Sequence, residues 1–289
     1  MPVSAKKSTI VRAFGWGERW APSLAARFAA RAWFTVPPAI PRHRLPALPP
    51  GEAIRVELSG RVLHAVAWGA GEPVHLVHGW GGRSEQLGAF VAPLVAAGYR
   101  VVAHDAPSHG ASPAGARGPR STTIPELAAA LRAAAGEQDA PRAVIAHSIG
   151  AAAAAHAVRC GLRPSALVLI APPADPRWML DGFVARLGAG ARVRAELERL
   201  VVRRVGMPWE TFDVPALPRS VPVPPTLVVH DAADREVGPE HGRAIAASWP
   251  GARLLTTEGL GHRRLLRDPA VVDEVVRFIA GARTVRRPA

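Results

Sequence analysis

From residue 53 onward the chain alternates short apolar runs with longer segments of helical character. The later runs, such as 143–146 and 166–170, are continuously apolar, which is typical of strands covered on both faces. Regular alternation of strand and helix predicts an α/β fold with a mostly parallel central sheet and helices on both faces. The predicted strands are 53–58, 62–67, 74–77, 100–104, 143–146, 166–170, 226–229 and 253–256.

Helical segments fill most of the spaces between these strands. The segment 268–280 has the clearest pattern, because Asp268 can cap it, Pro269 suits its first turn and a valine stripe follows. One interval, 172–222, is longer than the others and contains helical stretches of its own. The predicted helices of the alternating part are 84–97, 122–135, 149–160, 240–248 and 268–280.

The chain's 289 residues suit one large α/β core with an insertion. We predict an arm with a proline-rich connector over 1–50, core segments over 51–171 and 223–289, and a helical insertion over 172–222. In the arm, residues 18–34 can form a helix with Trp20, Leu24, Phe28 and Phe34 on one side and Arg27 and Arg31 among them.

This arm has two interpretations. Aromatic and arginine side chains on one helix face suit weak contact with a membrane surface or with a partner protein. Alternatively the arm packs on the main body, with its arginines extending past the edge to water. The sequence leaves both open.

The formal net charge is +13, and a positive charge of this size is common in proteins that bind anionic partners. The basic residues are nearly all arginine and are spread along the chain, so we expect no nucleic-acid partner. Cys160 is the single cysteine, which excludes an intrachain disulfide and is compatible with the cytoplasm. Apolar runs are too short for a membrane span, and no apolar core follows Lys6 and Lys7 as in a secretory signal.

Polar residues follow five of the predicted strands, at the sheet edge where open parallel sheets bind ligands. Serine, then aspartate, then histidine come after successive strands. A serine hydroxyl needs a base to become a nucleophile, and an imidazole base needs an acid to orient it. The segments are H-G-W-G-G at 78–82, D-A-P-S-H-G at 105–110, H-S-I-G at 147–150, D-A-A-D-R-E-V at 231–237 and G-L-G-H at 259–262.

The turn A-H-S-I-G resembles the G-x-S-x-G nucleophile elbow of the α/β-hydrolase family, with Ala146 in place of the first glycine. The resemblance covers roughly residues 53–280. It implies the α/β-hydrolase fold, with the insertion as a helical cap, and it implies that Ser148 is the nucleophile.

By the same resemblance, His262 is the base and Asp234 the acid of a Ser-His-Asp triad. Asp231 and Asp175 remain alternative acids. The resemblance places the oxyanion hole at the backbone N–H groups of Ile149 and Trp80. For a substrate pocket we name His147 and the cap residues Trp178, Met179, Leu180, Phe183 and Trp209.

The function implied is a serine hydrolase, most simply a carboxylesterase that cleaves small acyl esters through an acyl-enzyme. The same residues could serve a thioesterase, an acyltransferase, a peptidase or a perhydrolase, and a non-catalytic binding protein on the same scaffold is the alternative of another class. We expect no cofactor. We also expect no metal site at His75 and His78, since these side chains face opposite sides of a strand. The oligomeric state is not predicted.

Overall fold

The computed structural model of this chain describes residues 3–282 apart from residue 39 and the segments 42–44, 46–47 and 137–139. The described residues form two compact units. A helical unit contains the first two helices and Asp175–Asp213, and a sheet unit contains the other described residues from Val36 onward. Much of the predicted proline-rich connector lies outside the described residues.

The strands of the sheet unit form an eight-stranded sheet and a separate two-stranded hairpin within the described part of the chain. The sheet order is β1-β4-β6-β5-β7-β8-β9-β10, in which the six strands from β6 to β10 are parallel and β1 and β4 are antiparallel to their neighbours. The strands are β1 Glu52–Ala53, β2 Val56–Leu58, β3 Arg61–Leu63, β4 Ala65–Trp68, β5 Pro73–Val77, β6 Arg100–His104, β7 Ala143–His147, β8 Ala166–Ile170, β9 Thr226–Asp231 and β10 Arg253–Thr257.

Helices connect the parallel strands and also build the helical unit. Short 3-10 helices cover Ser84–Phe90, Trp209–Phe212, Leu217–Arg219 and Leu265–Arg267. The α-helices are α1 Val3–Trp20, α2 Pro22–Trp33, α3 Val91–Ala96, α4 Ile124–Ala135, α5 Ile149–Arg159, α6 Pro176–Leu187, α7 Ala191–Val205, α8 Pro239–Ser248, α9 Gly261–Arg264 and α10 Pro269–Gly281.

Both faces of the sheet are buried at its central strands, such as β7 and β8. On one face, alternate residues of the parallel strands, such as Ile145 and Val168, pack in one cluster with Leu94 of α3 and Val275 of α10. The intervening residues point to the other face, and Val144 is fully buried there as well. Helices α4 and α5 pack against β5 and β7. These contacts confirm the predicted α/β class, and they place five strand ends along one edge of the sheet.

Two predicted strands are each divided in the structure. The segment 53–58 contains β1, which pairs with β4, and β2, which pairs with β3 in the hairpin. Ser59 and Gly60 form the hairpin turn with φ of 50° and 75°, as a tight two-residue hairpin turn requires. Apolar patterning alone does not show that the segment changes partner between Ala53 and Val56.

The helical unit is built on α2 and α7, which pack closely through small side chains. Ala25, Ala26 and Ala29 of α2 are buried together with Val193, Leu197 and Val201 of α7. Glu18 of α1 accepts hydrogen bonds from the backbone N–H groups of Gly190, Arg192 and Val193, so it caps the start of α7. Partial burial alone would raise the pKa of Glu18, but these three donors hold it below its ordinary value.

The predicted helix over 18–34 is two helices. Pro22 disfavours a helical conformation at the residue before it, and Ala21 accordingly has φ −148° and ψ 57°. Phe34 also differs from its predicted place on the apolar side of Leu24 and Phe28, because it is buried inside the helical unit.

The boundaries between the two units differ from the boundaries of the predicted segments. The described residues of segment 36–50 and residues 214–222 are grouped with the sheet unit. The predicted bounds at 50, 172 and 222 stay predictions. Among the described residues, no helix has the length and apolar character that crossing a membrane demands.

Candidate active site

Ser148 lies in the sharp turn between β7 and α5. Its φ of 54° and ψ of −127° are strained for a residue with a side chain, and such strain is typical of a nucleophile elbow. The neighbouring positions are small because the turn approaches other backbone closely. A Cβ at Gly150 would lie 2.4 Å from the carbonyl oxygen of His78. The turn therefore holds the Ser148 side chain at the carboxyl edge of the sheet, and Ser148 remains partly accessible.

His262 contacts Ser148 directly. Its Nε2 lies 3.0 Å from the Ser148 Oγ, and its Nδ1 lies 2.7 Å from Oδ2 of Asp234. These three residues come from the loops after β7, β9 and β10, and His262 and Asp234 are both buried. A hydroxyl, an imidazole and a carboxylate thus form one continuous hydrogen-bonded chain.

Asp234 is held as a carboxylate. Burial alone would raise its pKa, but the nearby His230 and His262 rings and the Val237 N–H hold the pKa well below its ordinary value. Its Oδ1 accepts from the N–H groups of Glu236 and Val237 at 2.8 and 3.0 Å. Its Oδ2 lies 3.6 Å from Nε2 of His230, whose position the sequence did not indicate. A charged Asp234 favours the Nδ1-protonated form of His262, which leaves Nε2 as the acceptor.

The two alternative acids lie elsewhere. Asp231 accepts hydrogen bonds from the Thr257 hydroxyl at 2.8 Å and from the Leu260 N–H at 2.9 Å. It therefore holds the loop that leads to His262. Asp175 caps α6 by accepting from the Arg177 N–H at 2.8 Å, and it pairs with the guanidinium of the same residue.

The loop after β5 lies directly against the nucleophile turn. A Cβ at Gly79 would be 3.0 Å from Cβ of Ser148, so this loop passes beside the serine. His78 fixes the loop, because its Nδ1 donates to the Gly79 carbonyl at 2.8 Å and its Nε2 accepts from the Ala106 N–H at 3.0 Å. Burial lowers the pKa of His78, in agreement with a neutral ring that both donates and accepts.

Trp80 and Ile149, whose backbone N–H groups are the predicted oxyanion donors, lie on the two segments that meet at Ser148. Trp80 follows Gly79 in the loop, and its indole packs edge-on against His109 at 5.6 Å between ring centroids. Ile149 is the first residue of α5, where backbone N–H groups lack intrahelical acceptors and the helix dipole favours negative charge.

Comparison with known proteins places this architecture in a family. The sequence profile described as "Alpha/beta hydrolase family" matches residues 76–275, more than half of the chain. The chain belongs to the alpha/beta hydrolase family. This membership supports a hydrolase, and the geometry around Ser148 lies inside the matched span.

Solved structures agree with the family. A candidate lipase from Acinetobacter baumannii AYE is 15% identical with a TM-score of 0.63, over 80% of this chain and 92% of that one. The esterase EaEST from Exiguobacterium antarcticum is 17% identical with a TM-score of 0.59, over 78% and 98%. The thioesterase domain from the curacin biosynthetic pathway is 16% identical with a TM-score of 0.58, over 80% and 99%. Such identities show a shared fold. A search of curated protein sequences found no match.

His147, predicted as a pocket residue, contacts His262. Its Nε2 donates to the backbone carbonyl of His262 at 2.9 Å, and the two rings are 4.7 Å apart. Burial, followed by the nearby His262, lowers the pKa of His147 to about 3, so its ring is neutral. The sequence position next to Ser148 was a signal for proximity, but not for this contact.

The predicted cap residues are distributed over the helical unit. Leu180 and Trp209 are buried in that unit's own core, and Phe183 packs edge-on against Trp33 at 5.2 Å. Trp178 is exposed and Met179 is half-buried. Their role in a pocket stays a prediction. Among the described residues no group of three or more histidine, cysteine or acidic side chains could hold a metal ion.

Proposed function

We propose that this member of the alpha/beta hydrolase family is a serine hydrolase that cleaves small carboxylic esters through an acyl-enzyme. The observation that carries the proposal is the chain of contacts from Ser148 Oγ to His262 Nε2 and from His262 Nδ1 to Asp234. A nucleophile, a base and an orienting acid meet with the spacing that general-base catalysis requires.

In the first step, the Ser148 oxygen attacks the ester carbonyl carbon while its proton passes to Nε2 of His262. Negative charge then develops on the former carbonyl oxygen. The N–H groups of Ile149 and Trp80 are our candidates to bind that oxygen, and each such donor can stabilise the transition state by about 3 kcal/mol. Asp234 stabilises the imidazolium that has formed.

In the second step, the C–O bond to the alcohol breaks and His262 gives its proton to the departing oxygen. An acyl group remains on Ser148. A water molecule then attacks this acyl group, His262 takes one proton from the water, and the same proton returns to Ser148 as the carboxylic acid leaves.

The alternatives share much of this chemistry. Thioester and amide hydrolysis and acyl transfer use the same residues, so substrate preference must be measured. A non-catalytic scaffold would not need a strained serine held against an imidazole and a carboxylate, and this argues for an enzyme. We propose the cytoplasm as the location.

Hydrolysis of p-nitrophenyl acetate, with labelling by a fluorophosphonate, tests this proposal. We expect Ser148→Ala to lose activity by about 10⁴-fold and to lose the label. Ser59→Ala is the matched control, since Ser59 also has a positive φ but lies in the β2–β3 turn. Labelling of a serine other than Ser148, or full activity in Ser148→Ala, would contradict the proposal.

A further inference from the structure

The first two helices carry several of their large apolar side chains on the outside. In α2 the buried residues are Ala25, Ala26 and Ala29, while Leu24 and Phe28 are 53% and 62% exposed. A helix that only packs on its neighbours buries its large apolar residues and exposes small or polar ones. The pattern of α2 is the reverse, so its outer face has a composition that internal packing does not explain.

Helix α1 repeats the pattern. Trp16 and Trp20 lie four residues apart on one side of the helix, and each is 64% exposed. Gly17, on another side, approaches Ala25 of α2 so closely that a Cβ there would lie 2.7 Å from the alanine Cβ. The packing side of α1 is therefore separate from the side that carries the two tryptophans.

Arginines accompany these side chains on both helices. Arg12, Arg19, Arg27 and Arg31 are all exposed, and the Arg19 guanidinium lies 5.1 Å from the Trp20 ring centroid. The single acidic residue of segment 3–34 is Glu18, which is occupied in capping the start of α7. The exposed side chains of α1 and α2 thus combine tryptophan, phenylalanine and leucine with arginine, and none of them is acidic.

We propose that this surface, formed by Trp16, Trp20, Leu24, Phe28 and the four arginines, docks on an anionic lipid surface. Tryptophan and phenylalanine prefer the boundary between headgroups and acyl chains. Arginines beside them pair with lipid phosphates, and their attraction to an anionic bilayer adds to apolar insertion. Protein interfaces are also enriched in aromatic residues and arginine, so an acidic protein partner is the occupant that failure to bind anionic vesicles would favour.

Docking of this kind lies in the plane of the interface and requires no membrane-spanning segment. It does not depend on the proposed ester hydrolysis. It would bring the enzyme to a surface where apolar esters are concentrated.

Sedimentation of the full-length protein with vesicles tests the proposal. The vesicles are equimolar phosphatidylcholine and phosphatidylglycerol, compared with phosphatidylcholine alone. We expect binding to the anionic vesicles, weaker binding to the neutral ones, and loss of binding as salt is added, because salt screens the arginines. A blue shift of tryptophan emission on binding should shrink in Trp16→Phe/Trp20→Phe, which keeps the surface aromatic.

Two double variants separate the apolar and electrostatic contributions. Leu24→Gln/Phe28→Gln and Arg27→Glu/Arg31→Glu should each weaken binding to the anionic vesicles by at least about tenfold. The matched control is Val62→Gln/Leu254→Gln, which changes two exposed apolar residues of the sheet unit and should bind as the wild type does. All six positions are exposed, so the fold should be retained.

Absence of wild-type binding to the anionic vesicles would overturn the proposal. It would also be overturned if Leu24→Gln/Phe28→Gln and Arg27→Glu/Arg31→Glu bound the anionic vesicles as well as the control Val62→Gln/Leu254→Gln does. A concentration-dependent dimer in light scattering that Leu24→Gln/Phe28→Gln abolishes, without vesicle binding, would assign the surface to a second copy of this chain and would also overturn it.

Discussion

His147 donates a hydrogen bond from its Nε2 to the backbone carbonyl oxygen of His262 at 2.9 Å. The two residues are 115 positions apart, and one immediately precedes Ser148 while the other contacts the Ser148 side chain. The bond therefore connects the turn that holds Ser148 to the segment after β10 that carries His262. This bond helps to set the distance between the two segments, and it involves neither the Ser148 side chain nor the His262 ring.

His147→Phe should lower kcat for p-nitrophenyl acetate by about 10- to 100-fold with little change in KM, because a displaced base no longer aligns with Ser148. Phenylalanine keeps a planar ring but cannot donate. His147→Gln retains a donor and should recover part of the loss. His64→Gln, at a partly exposed histidine between β3 and β4, is the control and should remain as active as the wild type. Unchanged kcat in His147→Phe would show that the contact does not position His262.

The two aspartates of the β9 loop should differ in their effects. Asp234→Asn should lower kcat by about 10³-fold or more, because His262 loses the partner that fixes its tautomer. Asp231→Asn should mainly lower the melting temperature, since Asp231 holds Thr257 and Leu260 rather than the imidazole. Kinetics and thermal unfolding of both variants make the comparison. A larger kcat loss in Asp231→Asn than in Asp234→Asn would reverse the assignment.

Gly150→Ala should destabilise the sheet unit by about 3 kcal/mol, because its Cβ would lie 2.4 Å from backbone oxygen that cannot move easily. The same change at Gly182, inside α6, meets only the end of the Arg186 side chain at 3.6 Å. Gly182→Ala should therefore stabilise its helix slightly. Urea unfolding of both variants measures the difference, and equal midpoints would contradict the packing argument.

Buried histidines should make the protein sensitive to acid. Burial lowers the pKa of His75 from 6.5 to about 4, and neither of its ring nitrogens has a hydrogen-bond partner. Between these values the unfolded chain binds a proton that the folded chain does not, so stability is lost as pH falls. The loss from this residue should reach about 2 kcal/mol by about pH 5.

His75→Leu removes this proton-binding site and keeps an apolar side chain in the sheet. Its urea midpoint should therefore fall less than that of the wild type between about pH 7 and about pH 5. His64→Leu is the control and should follow the wild type. If His75→Leu loses as much stability as the wild type over this range, the acid sensitivity comes from other groups.

The sequence predicted those features that depend on local pattern. Continuous apolar runs and their alternation with helices indicated the parallel sheet, and the resemblance of A-H-S-I-G to a nucleophile elbow indicated a tight strand-to-helix turn at Ser148. The pairing of strands was harder to predict, because segment 53–58 has one apolar pattern but pairs with two different strands. In the arm, Pro22 could have indicated the break between α1 and α2. The burial of Phe34 depended on the residues of α6 and α7 that surround it.

Only the tertiary structure decided between residues of equal chemistry. Asp231, the last residue of β9, and Asp234 are both carboxylates only three positions apart, yet the first anchors the β10–α9 loop and the second contacts His262. Likewise, nothing in the sequence joins His147 to the carbonyl of His262. Residue type and spacing determine which groups reach the sheet edge, since strand direction and periodicity are local properties. The hydrogen bonds formed there depend on distances between segments far apart in sequence, which are fixed only when the chain has folded.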